Sequence, residues 1–379
     1  PRAGLARLAS PARPAAPPAA VPPLGGGGGC GGRPAGAFSP RFSGVFGMSW
    51  AVMVSSPLRV ADPVWQSSSS DSCPRSEGAT APYGVRMTSP NLGLLLDVDG
   101  PIASPVTRTI AIDSIAIDLV ALAAAGVPIA FITGRSDAFI RDQVVAPMLR
   151  EGLAEALLVP GSRMFGVFEK GATWASIDAD GMGEVQIDPA VAIDPAVSDA
   201  MRELVIAEFG EWMFFDETKR AMLSIEQRTD VAHADFADVQ PRFQDAAFEL
   251  VTGFGLGLSY GDRVAPDAAG AVPLRIDPTI ISTDVESVLL DKDRGAERAL
   301  EHFAATGPLP HRWFSVGDSR SDYLMADHLH AAGFEAVHVD VRPSDGMLAR
   351  PYEVITIGEL IHDEAGAAFL AQQRGLLGI

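Results

Sequence analysis

The sequence GLLLDVDG (residues 93–100) carries an apolar run directly into two carboxylates, Asp97 and Asp99, that stand one residue apart. Two negative charges this close raise each other's pKa and cost free energy unless a cation or a shared proton compensates them. The stretch therefore has two interpretations. Either a buried strand ends at a solvated turn, or the two aspartates are placed to hold a metal ion.

The charge of the chain limits its partners. The 379 residues include 48 acidic and 29 basic side chains, which gives a formal net charge of −19. Such a surface repels nucleic acids and anionic membranes, so we expect neither as a partner. It would also repel a phosphate ester, unless a bound metal ion reverses the local charge.

Two further features favour a soluble, cytoplasmic protein. No apolar run of the sequence approaches the roughly 20 residues that a membrane-spanning helix needs. The two cysteines, Cys30 and Cys73, both lie in the first quarter of the chain. The remainder can therefore form neither a disulfide framework nor a cysteine-ligated zinc site, as is typical of proteins from a reducing compartment.

Residues 1–86 differ in composition from the rest of the chain. Segments such as SPARPAAPPAAVPPLGGGGGCGGRPAG and WQSSSSDSCPRSEG are rich in Pro, Gly, Ser and Ala. This composition buries too little apolar surface to offset chain entropy, so we expect a disordered, low-complexity extension. We expect Met87 to be the natural start of translation; the alternative is a genuine regulatory tail.

From residue 92 onward, strands alternate with helices. LGLLLDV, VPIAFITGR and EALLVPG are typical of buried strands, and helical patterns separate them. This order predicts an α/β fold with a parallel sheet, in which binding sites lie at the carboxyl ends of the strands. The middle of the chain predicts a smaller sheet with two helices. We therefore expect a first domain at 87–165 and 281–379, interrupted by an α+β domain at 166–280.

The two aspartates of the opening stretch have a chemical use at the end of a strand. A carboxylate there can attack phosphorus and form an aspartyl-phosphate. A second carboxylate two residues later can protonate the leaving oxygen and then deprotonate water. On these grounds Asp97 is a candidate nucleophile and Asp99 a candidate general acid and base, although acidic residues before a glycine also commonly end a strand.

Three later segments add groups that suit phosphate and metal. FITGRS ends a strand with Thr133 and the Gly134 amide, which could bind phosphate oxygens. VLLDKDRG brings Lys292 to the start of a helix, where it could neutralise phosphoryl charge. FSVGDSRSD ends another strand with Asp318 and Asp322, a candidate metal ligand and its support. The alternatives are ordinary N-caps and turns, and a solvated lysine.

Together and in this order, the four segments resemble the motifs of the haloacid dehalogenase superfamily, over about residue 92 to the C-terminus. The resemblance implies a Rossmann-like core, with Asp97 as nucleophile and Asp99 as general acid and base. It implies that Thr133, Gly134 and Lys292 hold the phosphoryl group. It also implies a Mg2+ ion held by four residues: Asp97, Asp99 through its backbone carbonyl, Asp318 and Asp322.

The spacing of the motifs resembles one branch of that superfamily. About 160 residues separate Thr133 from Lys292, as in type IIB members, whose C2 cap is inserted there. Cof-like, sucrose-phosphate and trehalose-phosphate phosphatases belong to this branch. ETKRAMLSIEQR is similar to the cap pattern of the trehalose-phosphate phosphatases, except that Glu226 replaces the usual histidine. The candidate substrate contacts of the cap are Arg163, Lys170, Lys219, Arg220 and Arg228.

The sequence thus predicts a Mg2+-dependent phosphatase that acts on a small phosphorylated metabolite, most readily a sugar phosphate. Two alternatives remain open at this point: a phosphomutase on the same scaffold, and a catalytically silent sugar-phosphate-binding protein. The complete pair Asp97 and Asp99 argues against a silent protein, because a binder has no need of the second acid. The sequence leaves the particular substrate and the oligomeric state open.

Overall fold

The computed structural model of this protein describes residues 91–343 and 346–379. The expected low-complexity extension (1–86), Met87 and both cysteines lie outside the described residues. Within these two ranges, no helix is long and apolar enough to cross a membrane.

The strands are numbered in chain order. They are β1 (Leu92–Leu96), β2 (Ile129–Ile132), β3 (Met164–Phe168), β4 (Thr173–Asp178), β5 (Gly181–Met182), β6 (Gln186–Ile187), β7 (Met213–Phe215), β8 (Leu223–Gln227), β9 (Leu258–Tyr260), β10 (Arg263–Ala265), β11 (Leu274–Pro278), β12 (Ser282–Ser287), β13 (Arg312–Gly317), β14 (Glu335–Asp340) and β15 (Glu353–Ile355).

The helices are numbered in the same way. They are α1 (Asp113–Ala124), α2 (Asp137–Ile140), α3 (Ala146–Arg150), α4 (Leu153–Leu157), α5 (Pro195–Leu204), α6 (His233–Gly253), α7 (Lys292–Thr306), α8 (Tyr323–Ala331) and α9 (His362–Leu377). One-turn π segments occupy Arg141–Val145 and Val205–Phe209, and 3₁₀ turns occupy Glu169–Gly171 and Arg320–Asp322.

The larger sheet carries the candidate site. Its strand order is β15-β14-β13-β1-β2-β3-β4-β5, with β6 beside β4. The strands from β15 to β3 are parallel, and β4 returns antiparallel to β3. In the centre, Leu96 of β1 pairs with Val316 of β13 and with Phe131 of β2. The residues that follow these three strands therefore lie side by side at one edge of the sheet.

Helices cover both faces of the larger sheet, as the α/β pattern predicts. Leu94 and Leu96 face one apolar layer, which α1 and α9 complete with Ile115 and Phe369. Leu95 faces the other layer, to which α7 and α8 contribute. Because successive strand residues point to opposite faces, burial on both sides explains the unbroken apolar run of β1. We call this sheet with its helices the core.

The smaller sheet has the order β10-β9-β11-β12-β8-β7. One face packs against α5 and α6 through residues such as Ile225, Val285 and Phe236. Since side chains alternate along a strand, the opposite face carries polar residues, among them Glu226 and Glu286. We call this sheet with α5 and α6 the cap. The mixed architecture, a parallel core sheet with a separate inserted sheet, confirms the predicted fold class.

One predicted element is wrong. EALLVPG, expected as the third strand, begins inside helix α4 and continues as a turn, and the third parallel strand is instead MFGVF, Met164–Phe168. Both segments are short apolar runs, and periodicity cannot distinguish a short buried helix from a short buried strand.

The sheets suggest domain boundaries that differ from those expected. Strands β3 to β6 belong to the larger sheet, although they lie beyond residue 165. Strand β12 belongs to the smaller sheet, although it begins after residue 280. We therefore propose that the chain leaves the core near residue 188 and returns to it near residue 288, where pairing in one sheet gives way to pairing in the other.

Candidate active site

Three carboxylates meet at the carboxyl edge of the larger sheet. Asp97 follows β1, while Asp318 and Asp322 follow β13. Oxygen atoms of all three lie within 4.8 Å of one another. Asp97 and Asp322 are buried and Asp318 is partly buried. The two aspartate-containing segments that are far apart in the sequence thus form one cluster.

Lys292 lies within this cluster. It begins α7, and its Nζ is 2.5 Å from Asp97 Oδ1 and 2.7 Å from Asp322 Oδ1. The same Nζ donates a hydrogen bond of 2.9 Å to the carbonyl of Ile132, the last residue of β2. A single side chain therefore joins the ends of three neighbouring parallel strands, β1, β2 and β13.

The acids of the cluster repel one another. Burial and the neighbouring Asp322 raise the pKa of Asp97 well above its usual value, despite Lys292. Burial and Asp322 likewise raise the pKa of Asp318 to about 6. Although burial opposes ionisation of Asp322, Lys292 and hydrogen bonds from Ser319 lower its pKa. One lysine thus compensates the buried negative charge only in part.

These three carboxylates could hold a metal ion. Mg2+ prefers oxygen ligands and is usually bound by one or two carboxylates together with water and substrate phosphate. A divalent cation between Asp97 and Asp318 would also offset the repulsion that raises their pKa values. The donor set therefore fits the ion that the sequence predicts.

Two glycines leave space for the acids of the cluster to lie close to one another. Gly100 has a φ of +98°, and a Cβ on it would lie 2.5 Å from Asp318 Oδ2. A Cβ on Gly317 would lie 2.1 Å from the Cβ of Asp322. Any larger residue at either position would push the loop after β1 or the loop after β13 out of the cluster.

Asp322 holds the loop after β13 in place. Its Oδ2 accepts hydrogen bonds from the backbone N–H of Asp318 (3.0 Å) and of Ser319 (2.8 Å). The Ser319 hydroxyl donates a third, of 2.8 Å, to the same oxygen. Asp322 therefore orients Asp318 as well as contacting Lys292, and its role in supporting a metal ion stays a prediction.

Asp99 lies beside the cluster and is bound by a residue that the sequence analysis did not single out. Arg135 Nε lies 2.9 Å from Asp99 Oδ2, and Arg135 Nη2 lies 2.9 Å from Asp99 Oδ1. Arg135 belongs to the FITGRS segment, from which we selected only Thr133 and Gly134. Its pairing with Asp99 spans 36 residues, so no local pattern could have indicated it.

Thr133 and Gly134 occupy the end of β2, as expected. Thr133 is fully buried, and its Oγ1 accepts a 3.0 Å hydrogen bond from the Arg135 N–H. The Gly134 carbonyl accepts a hydrogen bond from the ammonium group of Lys219, which belongs to the cap. Their proposed role as phosphate ligands stays a prediction.

Three of the five cap candidates lie at the boundary between core and cap, where protein groups bind them. The Lys170 ammonium is 2.8 Å from Asp277 and 2.9 Å from Glu286. Arg220 forms hydrogen bonds of 2.6 and 3.0 Å to Asp137. Lys219 contacts Gly134, as described above. These cations join the two sheets, and a contact with substrate stays a prediction for each.

The other two candidates point elsewhere. Arg163 precedes β3, so it lies at the amino-terminal edge of the parallel sheet, opposite Asp97. Its guanidinium donates to the carbonyls of Phe303 (2.8 Å) and Pro308 (2.9 Å). Arg228 is paired at 2.9 Å with Asp230, and both are substantially exposed. Arg163 thus lies at the opposite edge of the sheet from Asp97, and its expected contact with substrate stays a prediction.

Glu169 is a second residue that the sequence analysis missed. It is fully buried in the turn after β3, with a φ of +49°. Its Oε1 accepts a 2.9 Å hydrogen bond from the N–H of Arg220. Its Oε2 accepts bonds of 2.9 and 3.0 Å from the N–H groups of Ala221 and Met222. One core carboxylate thus binds three consecutive amides of the cap.

A cleft beside Arg135 could receive a ligand. It has a volume of about 310 Å³ and is lined from the core by Arg108, Arg135 and Phe139. Asp216 and Glu226 line it from the cap. A larger cavity, of about 740 Å³, lies within the cap, and the clustered acids line neither of the two. We consider the smaller cleft the candidate ligand site, because Arg135, which binds Asp99, lines it and does not line the larger cavity.

No protein-family model and no curated protein matches this chain. Solved structures do match it. A trehalose-6-phosphate phosphatase related protein is 13% identical, with a TM-score of 0.45, over 76% of this chain and 98% of that chain. The C-terminal domain of trehalose-6-phosphate phosphatase from C. albicans is 14% identical, with a TM-score of 0.49, over 75% and 93%.

A haloacid dehalogenase-like hydrolase from Bacteroides thetaiotaomicron is 12% identical, with a TM-score of 0.47, over 74% of this chain and 98% of that chain. At low sequence identity, the chain is similar in structure to haloacid dehalogenase-like hydrolases, including trehalose-6-phosphate phosphatases.

Proposed function

We propose that this protein is a Mg2+-dependent phosphatase that hydrolyses the phosphate monoester of a small metabolite through an aspartyl-phosphate. The observation that carries the proposal is the contact of Lys292 with both Asp97 and Asp322 at the end of the sheet. A nucleophile, a fixed cation and a pair of metal-binding acids can act on one phosphoryl group only if they share a pocket.

Asp97 is the nucleophile in this proposal. Its carboxylate attacks phosphorus, the bond from phosphorus to the ester oxygen breaks, and the phosphoryl group is carried on Asp97. Water then attacks that phosphorus, releases phosphate and restores the carboxylate. The buried position of Asp97 excludes bulk water from the first step.

Lys292, Thr133 and Gly134 position the phosphoryl group. The ammonium of Lys292 is held by Asp97, Asp322 and the Ile132 carbonyl, so it is preorganised to stabilise negative charge at the end of β2. The Thr133 hydroxyl and Gly134 N–H lie at the same strand end. Mg2+, held by Asp97, Asp318 and the Asp99 carbonyl with support from Asp322, would supply charge neutralisation and orient the phosphate.

Asp99 is the general acid and base. It gives a proton to the departing ester oxygen and takes one from the water that cleaves the intermediate. Its side chain is 38% exposed at the edge of the cluster, where it can meet both the leaving group and water.

The substrate that we propose is a phosphate ester of a small polyhydroxylated compound, such as a sugar phosphate. The cleft next to Arg135 is lined on the cap side by the oxygen-bearing side chains of Asp216 and Thr218. Carboxylates and hydroxyls of this kind accept hydrogen bonds from sugar hydroxyl groups.

Turnover of a panel of sugar phosphates, with and without MgCl2, tests this function. We expect Mg2+-dependent release of inorganic phosphate that Asp97→Asn abolishes without changing the circular dichroism spectrum. An Asp97→Asn variant with full activity would refute the assignment. Conversion of a hexose 1-phosphate to the 6-phosphate, in place of phosphate release, would identify a phosphomutase instead.

A further inference from the structure

Arg135 lies between an acid of the core and an acid of the cap. Its guanidinium forms the two-point contact with Asp99 described above, and its Nη1 is 3.9 Å from Glu226 Oε1. Arg135 and Glu226 are largely buried, with side chains 19% and 16% exposed. A hydrogen bond needs about 2.7–3.2 Å, so Glu226 stands just outside bonding distance.

The contact with Arg135 occupies Asp99. Arg135 Nε and Nη2 engage both carboxylate oxygens, in the planar arrangement that makes arginine–carboxylate pairs strong. A general acid or base has to bring one oxygen within hydrogen-bonding distance of the reacting group. Release of one of these contacts would free that oxygen to turn toward the substrate.

The backbone of Arg135 is anchored while the end of its side chain has an alternative partner. Its N–H donates to Thr133 Oγ1 at 3.0 Å, and its carbonyl accepts from the Glu169 N–H at 3.1 Å. Its guanidinium carbon lies 4.9 Å from the ring centre of Phe139. A movement of the cap toward the core would therefore bring Glu226 to the guanidinium while the backbone of Arg135 stays in place.

The other charged groups that act on Glu226 come from both domains. They are Asp216 and Lys219 of the cap and Arg108 of the core. Lys219 is already bound to the Gly134 carbonyl. Of the cations near Glu226 in the described part of the chain, Arg135 is therefore the one that also holds the proposed general acid.

We propose that Arg135 is a positioning residue that couples the cap to the general acid. When the cap moves about 1 Å closer, Glu226 reaches bonding distance of the guanidinium and draws it from Asp99. Asp99 is then free to contact the leaving group. This inference rests on the proposed phosphatase function, and it assigns Glu226 to catalysis of leaving-group departure, through Arg135, rather than to binding of substrate.

Leaving-group dependence tests the coupling. Phenyl phosphate and 4-nitrophenyl phosphate differ little in size, but the nitrophenolate leaves readily without a proton and the phenolate does not. The ratio of kcat/KM for the two esters therefore reports on the general acid. We would measure it for the unmodified full-length chain, Glu226→Gln, Arg135→Gln and the double variant, all with MgCl2.

We expect Glu226→Gln to lower kcat/KM for phenyl phosphate about tenfold or more, within the 10²–10⁴-fold that a general acid contributes. For 4-nitrophenyl phosphate we expect a change below about twofold. In the Arg135→Gln background the same substitution should leave the ratio unchanged, because the guanidinium that Glu226 withdraws is gone. Glu249→Gln, an exposed glutamate of the cap paired with Arg263, serves as the matched control.

Equal losses on both esters after Glu226→Gln would overturn the coupling, since they indicate a role in binding or in folding. An undiminished effect in the Arg135→Gln background would overturn it too. Should Arg135→Gln fold poorly, Arg135→Lys retains the charge, loses the two-point contact and is expected to weaken the Glu226 effect in the same way. If the unmodified chain releases phosphate from neither of these esters nor from the sugar-phosphate panel, the proposed function itself is wrong. The outcomes above overturn the coupling alone.

Discussion

Glu169 offers a quantitative test of how the cap is attached to the core. Its carboxylate is fully buried and accepts the N–H groups of Arg220, Ala221 and Met222 at 2.9 to 3.0 Å. Replacing Glu169 by Gln keeps the size of the side chain but turns one acceptor oxygen into an NH2 donor. That donor has to face either one or two backbone N–H groups, because both oxygens are occupied.

The cost of Glu169→Gln follows from the bonds that are lost. A hydrogen bond to a charged group contributes about 1.5–3 kcal/mol. The single oxygen of the glutamine amide can accept only one or two of the three N–H groups. The hydrogen bonds that remain are weaker, because their acceptor is no longer charged. Because one or two such bonds are lost and the new NH2 group faces other donors, we expect the free energy of unfolding to fall by about 3–5 kcal/mol.

Urea denaturation of the full chain, followed by circular dichroism, measures this loss. The matched control is Glu249→Gln, whose exposed glutamate should change the free energy of unfolding by no more than about 0.5 kcal/mol. Limited proteolysis adds a local readout, because loosening the 220–222 amides should expose the connection between core and cap. A loss below about 1 kcal/mol for Glu169→Gln would refute the view that this carboxylate anchors the cap.

Three further predictions concern the pH dependence of stability, the binding of Mg2+ and the position of Arg163. Burial lowers the pKa of His338 to about 4, so between pH 6.5 and 4 the unfolded chain binds a proton that the folded chain does not. As the pH falls over this range, the free energy of unfolding, measured by urea denaturation, should decrease by about 3 kcal/mol more for the unmodified chain than for His338→Gln. Asp318→Asn should raise the MgCl2 concentration that gives half of the thermal stabilisation by about tenfold or more, measured as Tm; an unchanged midpoint would remove Asp318 from the metal site. Arg163→Gln should leave kcat/KM within about twofold, because Arg163 lies at the opposite edge of the sheet; a larger loss would contradict that placement.

The cluster of residues at the candidate active site was predictable because strand ends are visible in the sequence. An apolar run that stops at a polar residue marks the carboxyl end of a buried strand, and parallel strands place such ends together. Asp97, Thr133 and Asp318 each follow a run of this kind. The structure brings the ends of β1, β2 and β13 side by side, with Lys292 among them.

The contacts of the boundary between core and cap were not predictable in the same way. Glu169 binds amides 51 to 53 residues away, and Lys170 pairs with acids more than 100 residues away. No periodicity links such positions, and a single charged residue in a polar segment is most often solvated. For that reason Lys170 and Arg220 could be suggested as substrate contacts, while the acids that neutralise them stayed unrecognised.

The order of strands, helices and motifs determined the α/β architecture of this protein and the group of residues at its candidate active site, because buried strands and their polar ends leave a local signature. Only the tertiary structure decided which partner each charge has. Arg135 is one residue from Gly134 in the sequence, yet its role depends on Asp99 and Glu226, which two different sheets bring to it. Charges act through space, so their partners follow from the folded chain and not from the neighbouring residues.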